Sequence, residues 1–276
     1  MSAPKEYRFL LDIASMTDTG QIRSHNEDSI VVSAECGLAI LADGMGGYNA
    51  GEVASSMATS TVQQVVQDQL KHLTAYPADD HVWPVEGLLN QAILAANSGI
   101  LDAASAEPEY SGMGTTIVMA LFHHDIVTIA HVGDSRAYRL RDQQLTQLTR
   151  DHSLLQEQVD AGLISPEQAR FAQHKNLITR AVGVDLLVQP DTNEFALEPG
   201  DLYVLCSDGL SDMIDNLTIT ETLNLCGDDV TKAVENLVAQ ANQQGGRDNI
   251  SVILIRVFVD DSADKNFFGR FRQWIN

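Results

Sequence analysis

The amino-acid sequence predicts an α+β fold, with largely antiparallel β-sheets carrying helices on their outer faces. Three observations lead there. Short apolar runs rich in β-branched residues fill the first half of the chain, as strands do. These runs follow one another instead of alternating strictly with helices, which argues against a doubly wound parallel sheet. Between them lie stretches whose apolar residues recur about every four positions, the signature of a helix with one buried face.

In chain order, FLLDIAS, SIVVSA and GLAILAD read as the first strands. A helix follows, in which Val53, Met57, Thr61 and Val65 recur every four residues, flanked by Ala54, Ala58, Val62 and Val66. A second carries Leu88, Leu89, Ala92, Ala96 and Ile100. TTIVMALF, DIVTIAHVGD and AYRL are the next strands. Residues 151–182 differ in character: they are polar, rich in Gln and helix-prone, with Ser165-Pro166-Glu167 as a helix start, and they read as a projecting flap. NEFALEPG and DLYVLCSD are expected to form a strand pair joined by the Pro199-Gly200 turn. A third helix presents Val230, Ala233, Val234, Leu237, Val238 and Ala241 on one face, and ISVILIRVFV is a final buried strand.

Composition narrows the function. The chain has 276 residues, with 38 acids against 17 Lys and Arg, a net charge of −21. Such a chain repels nucleic acid and anionic membrane. It can act on a phosphorylated substrate where bound cations reverse the sign locally. Cys36, Cys206 and Cys226 form no CxxC pair, and two of them lie in apolar runs, so buried thiols in a reducing compartment are expected. No basic-then-apolar leader and no run of membrane-spanning length is evident, so the expected location is the cytoplasm.

Five acidic sites share one placement. Asp43, Asp134 and Asp208 end apolar runs; Asp28, beside Glu27, and Asp248 precede them. In an antiparallel sheet the end of one strand lies beside the start of its neighbour, so all five can gather on one edge. Clustered carboxylates repel unless cations hold them, and hard ions such as Mg²⁺ and Mn²⁺ prefer oxygen ligands. The expectation is a two-metal site with ions about 3.5–4 Å apart and a shared water as nucleophile. In Asp43-Gly-Met-Gly-Gly47 the glycines let backbone approach a ligand, with the Gly44 carbonyl as a candidate ligand. Arg23 has the fork geometry to grip a phosphoryl group.

Taken together, Arg23-Ser-His-Asn-Glu-Asp28, Asp43-Gly-Met-Gly-Gly47, Gly112-Met-Gly-Thr-Thr116, Gly133-Asp-Ser-Arg136, Asp208-Gly-Leu-Ser-Asp212 and Gly246-Arg-Asp-Asn249 resemble the PPM family of metal-dependent, type 2C protein phosphatases in its bacterial form. The resemblance implies a four-layer αββα sandwich, two antiparallel sheets flanked by helices, over residues 1–260. It implies hydrolysis of phosphoserine and phosphothreonine on proteins by a metal-bridging hydroxide, with two Mn²⁺ or Mg²⁺ ions. Asp43 would bridge both ions; Asp208 and Asp248 would complete one; the Gly44 carbonyl, Glu27 and Asp28 would hold the other. Arg23 would hold the substrate phosphate, and Asp134 with Asp208 would bind a third, weaker ion, supported by Asp212. The implied partners are phosphorylated proteins and a cognate serine/threonine kinase system, with the enzyme a monomer. Met45 stands where animal members have a proposed general-acid histidine. Water on the third ion, or His152, is then the candidate acid.

The flap is expected to influence substrate choice. Residues 261–276 lie beyond the match; Phe267, Phe268, Phe271, Trp274 and Ile275 would form one apolar helical face, with Arg270 and Arg272 beside it, that either packs back on the domain or docks to a partner. Two alternatives share the fold: a phosphatase of an anti-sigma-antagonist protein, and a non-catalytic phosphopeptide-binding module. The second would be favoured by missing ligand acids, and none is missing.

Overall fold

The structure, a computed structural model, describes residues 9–47, 50–75, 85–169 and 177–259. Its strands are β1 (Phe9–Asp18), β2 (Asp28–Ser33), β3 (Leu38–Met45), β4 (Gly114–Thr115), β5 (Ile117–His123), β6 (Ile126–Val132), β7 (Arg136–Arg141), β8 (Gln144–Gln147), β9 (Asp191–Ala196), β10 (Leu202–Cys206) and β11 (Ile250–Val259). The helices are α1 (Ala50–Ala75), α2 (Val85–Ala106), α3 (Leu154–Asp160), α4 (Pro166–Ala169), α5 (Asp208–Ser211), α6 (Asn216–Cys226) and α7 (Val230–Gln243). One sheet runs β1-β11-β10-β7-β8; the other runs β2-β3-β5-β6-β9, with β4 attached to β3. The paired strands are antiparallel throughout.

Alternation along the strands sorts the interior into three cores. In β3, Leu38, Ile40 and Ala42 face α1 and α2, while Ala39 and Leu41 face the opposite sheet. In β10, Leu202, Val204 and Cys206 face the α5–α7 side, while Tyr203 and Leu205 join the central core. Two-sided burial explains why these runs are continuously apolar. Phe122 and Tyr203 meet edge to face across the sheets, with ring centroids 5.3 Å apart. The result is the four-layer αββα arrangement.

The helices follow the predicted stripes with one shift. In α1 the fully buried row is Ala50, Ala54, Ala58, Val62 and Val66; Val53, Met57 and Val65 are only partly buried. The smaller side chains let the helix lie close to β3, which reverses the rows read from the sequence. The α2 and α7 stripes are buried as expected. The short elements β4 and α5, and two others, have no counterpart in the sequence reading. The polar edge strand β8 has little apolar signal, and α6 buries only Ile219, Thr222 and Leu223 while exposing Leu217 and Leu225. No helix among the described residues is long and apolar enough to cross a membrane. The amphipathic face of residues 261–276 lies outside the described residues.

β9 and β10 are not a pair. They belong to different sheets, so the Pro199-Gly200 turn carries the chain across the sandwich. Arg141 at the end of β7 clamps this crossover. It donates to both carboxylate oxygens of Asp201 at 2.6 Å and to the Ala196 carbonyl at 2.9 Å. The Asp201 side chain is fully buried and also accepts from the Tyr203 hydroxyl and the Glu198 N–H. Removing one partner of a buried ion pair strands the other charge, at a cost of about 3–5 kcal/mol. Arg141→Ala should therefore lower the melting temperature by roughly 6–20 °C. A thermal denaturation curve that overlays wild type would show that the clamp is dispensable.

Candidate metal and phosphate site

The predicted acids do gather, but at the shared end of both sheets, not on one sheet edge. Asp28 and Asp43 sit opposite one another in the β2–β3 register. Asp134 occupies the turn from β6 to β7, Asp208 opens α5 just after β10, and Asp248 lies two residues before β11. One sheet thus supplies three acids and the other two. Arg23, in the β1–β2 loop, donates to Asp248 at 2.6 Å and lies 3.9 Å from Glu27, with 47% of its side chain exposed. The five aspartates, Glu27 and Arg23 are therefore brought together.

Backbone contacts explain how the chain tolerates this crowding. The Asp43 carbonyl accepts from the Thr115 hydroxyl at 2.8 Å and the Thr116 N–H at 2.9 Å, and the Asp43 N–H donates to the Thr116 hydroxyl. Thr116 in turn meets the Ser135 hydroxyl at 2.7 Å, beside Asp134. Asn249 accepts from the Glu27 N–H and donates to the carbonyls of Thr19 and His25. Ser207 donates to Asp28 Oδ2 at 2.9 Å. No role was assigned to Thr115, Thr116, Ser135, Ser207 or Asn249 from sequence. Their signal was position alone, within or beside the motifs that carry the acids.

Gly44 has a more specific reason than ligand approach. A Cβ there would lie 2.1 Å from the Gly51 carbonyl oxygen and 2.6 Å from that of Glu27, so three backbone segments meet at a point that only glycine permits.

Electrostatics mark the cluster as incomplete without cations. Asp28, Asp208 and Asp43 keep some surface as residues, yet an oxygen of Asp28 and one of Asp208 are sealed from solvent. Burial first, then the carboxylates of Asp28, Asp208, Asp134 and Asp248, hold Asp43 well above the usual carboxylate range. Asp208 is raised likewise, by burial and then by Asp134, Asp212 and Asp248. Burial pushes Asp28 up to about 7 and, with Asp151, Asp134 up to about 6. Glu27 Oε1 and Asp28 Oδ1 are buried and accept no hydrogen bond from the described residues. An all-oxygen donor set with unsatisfied buried acceptors fits hard divalent cations.

Met45 pairs with Gly114 and offers no proton. The structure also removes His152 from candidacy as an acid. It is 4% exposed, its Nδ1 accepts from the Gly133 N–H at 3.2 Å, and its Nε2 faces Asp191 at 3.3 Å. Burial, then His131 and Arg180, push it down to about 4, so it is neutral at physiological pH. Ligand atoms of His131, His152 and Asp191 lie within 4.8 Å of one another. Arg180 already fills that position with its own cation, 3.0 Å from Asp191, so this cluster is a separate ion-pair network and not part of the acid site.

Comparison with known proteins agrees with this geometry. Residues 21–254 match the family model described as protein phosphatase 2C. The chain is 38% identical over 248 residues to the serine/threonine protein phosphatase PstP of Mycobacterium tuberculosis, covering 90% of this chain and 45% of that protein. It thus spans about half the length of that relative. It is 39% identical to the serine/threonine phosphatase stp of Listeria monocytogenes over 242 residues, 87% of this chain and 93% of the relative. The crystal structure of the PstP catalytic domain with two manganese ions superposes with a TM-score of 0.78 at 37% identity, over 91% of this chain and 100% of that one. Family model, relatives and fold concur: the chain belongs to the protein phosphatase 2C family.

Proposed function

We propose that the chain hydrolyses phosphate esters of serine and threonine on proteins, using two Mn²⁺ or Mg²⁺ ions, and reverses the work of a serine/threonine kinase. One observation carries the reading: five aspartates from both sheets converge on one buried point where they cannot all stay ionised without cations. Asp43 would hold both ions, Asp208 and Asp248 one, and the Gly44 carbonyl with Glu27 and Asp28 the other. Asp134 with Asp208 would take a third. When bound, the cations supply an activated water and offset charge at phosphorus. Arg23, held at the cleft mouth by Asp248 and Glu27, orients the phosphoryl oxygens. Thr115 and Thr116 fix the Asp43 backbone, so the central carboxylate is preorganised. Neither Met45 nor His152 can protonate the leaving oxygen. The presence of every ligand acid speaks against a non-catalytic binding module.

Hydrolysis of a phosphothreonine peptide should require Mn²⁺ or Mg²⁺, and Asp208→Asn should lower kcat by about 10²–10³. Activity in excess chelator, or an Asp208→Asn enzyme as fast as wild type, would refute the mechanism.

Stability should depend on pH in a defined direction. Asp28 is raised to about 7, and Asp43 and Asp208 are also raised, whereas unfolded aspartates titrate near about 3.9. The folded protein therefore holds more protons than the unfolded chain between these values, and metal-free stability falls as pH rises through the folded ones. His152, lowered to about 4, acts in the opposite sense only below its unfolded value of about 6.5. In chelator the melting temperature should fall between about pH 6.5 and 8, and the gain on adding Mn²⁺ should grow over the same interval. A Mn²⁺ gain that shrinks with rising pH would contradict the assignment.

The flap is proposed to select among phosphoproteins. Leu163, 73% exposed between α3 and α4, is a natural contact. Leu163→Glu should slow phosphoprotein turnover by roughly 5–10-fold while leaving a small aryl phosphate within about twofold. Equal losses on both substrates would remove the flap from substrate choice.

A further inference from the structure

We propose that His152 is a positioning residue: its imidazole, protonated at Nε2, ties the Gly133–Asp134 turn to the neck of the flap and so sets where the Asp134 carboxylate sits. The inference rests on the reading of Asp134 as part of the phosphatase site.

His152 holds Gly133 twice. Its own N–H donates to the Gly133 carbonyl at 2.9 Å, and its Nδ1 accepts from the Gly133 N–H at 3.2 Å. Gly133 has φ +107°, and a Cβ on it would meet the Thr116 side chain at 2.6 Å, so the turn has no room to rearrange around a larger residue. An Nδ1 that accepts from an amide carries no proton, so the proton is on Nε2, which lies 3.3 Å from Asp191 Oδ2 and 3.3 Å from Arg180 Nη1. Arg180 gives Asp191 a second donor at 3.0 Å. The His131 ring, opposite Asp191 in the β6–β9 register, stacks on His152 at 4.7 Å and is itself held by Nε2 to the Arg150 carbonyl at 2.8 Å. From the other direction the flap neck closes on the same residue. The His152 carbonyl accepts from the Thr179 N–H at 2.8 Å, and Leu154 N–H donates to the Leu177 carbonyl at 2.9 Å. Both sides of the neck and the acidic turn therefore meet at one imidazole.

Two measurements test this. In the metal-free wild type, side-chain ¹⁵N NMR should show His152 protonated at Nε2 and bare at Nδ1; the opposite tautomer overturns the proposal. His152→Asn keeps an acceptor where Nδ1 was, whereas His152→Gln moves it to the Nε2 position. The Asn variant should stay within about threefold of wild-type kcat, and the Gln variant should lose about tenfold or more at unchanged KM. Exchange of the Gly133 amide in the metal-free protein should stay near wild type for Asn and quicken about tenfold or more for Gln. Equal effects from both variants overturn the proposal. If wild type fails to hydrolyse phosphopeptides, the catalytic reading fails, and the tautomer and exchange data still decide the role of His152 in the turn.

Discussion

Repulsion among buried carboxylates is the constraint around which this end of the molecule is built. Asp28, Asp134, Asp208 and Asp248 each disfavour the ionisation of Asp43, and Asp28, Asp134 and Asp248 that of Asp208. Left to side-chain forces, such a cluster would spread apart. The positions are instead imposed through the backbone, by strand register for Asp28 and Asp43 and by hydroxyl and amide side chains for the loops. The two sheets are thus joined differently along their length. In the middle they share an apolar core; at the acidic end they are joined by hydrogen bonds from the Ser207 hydroxyl to Asp28 and from the Glu27 N–H to Asn249. That end holds the potential of several like charges in reserve for cations.

Close backbone approach is the second requirement, and glycine meets it twice. Gly44 leaves space for the Gly51 and Glu27 carbonyls. Gly209, directly after Asp208, lies so near Asn249 that a Cβ would fall 1.9 Å from its carbonyl oxygen. Each glycine therefore brings the backbone beside one acid, Asp43 or Asp208, against the backbone at or beside another, Glu27 or Asp248. The glycines in DGMGG and DGLSD do more than allow a turn: they set how near the carboxylates come.

These physical roles explain what the sequence made legible. Asp43, Asp208 and Asp248 stood out because they adjoin long apolar runs, and the cluster follows once those runs are strands. The α2 and α7 stripes were visible because large residues mark a buried face. In α1 the same rule misled, since Ala54 and Ala58 are buried for their smallness, which carries no hydrophobic signal. The Pro199-Gly200 turn suggests a β9–β10 pair because a Pro-Gly turn reports a reversal of direction and not the partner of each strand. His152 was the hardest to judge. A lone histidine beside acids has the residue type of a proton donor, and only its ring contacts, with Gly133 at Nδ1 and with Asp191 and Arg180 at Nε2, show that both nitrogens are engaged.

The crossover also explains how a clamp at one end of the sandwich governs a site at the other. Asp201 precedes β10 and Asp208 follows it, so a single strand of five residues connects the Arg141 clamp to the acid cluster. Its register against β7 pairs Leu202 with Leu140 and Cys206 with Arg136. A one-residue slip would turn Tyr203 and Leu205 out of the central core and exchange them with Val204 and Cys206 on the helical face. The Tyr203 hydroxyl and the Asp201 carboxylate bond to each other, so both polar groups would lose their partners in the same step. Register is thus enforced by apolar alternation and by the buried ion pair together. The placement of Asp208 among the other acids inherits its precision from residues that never touch them.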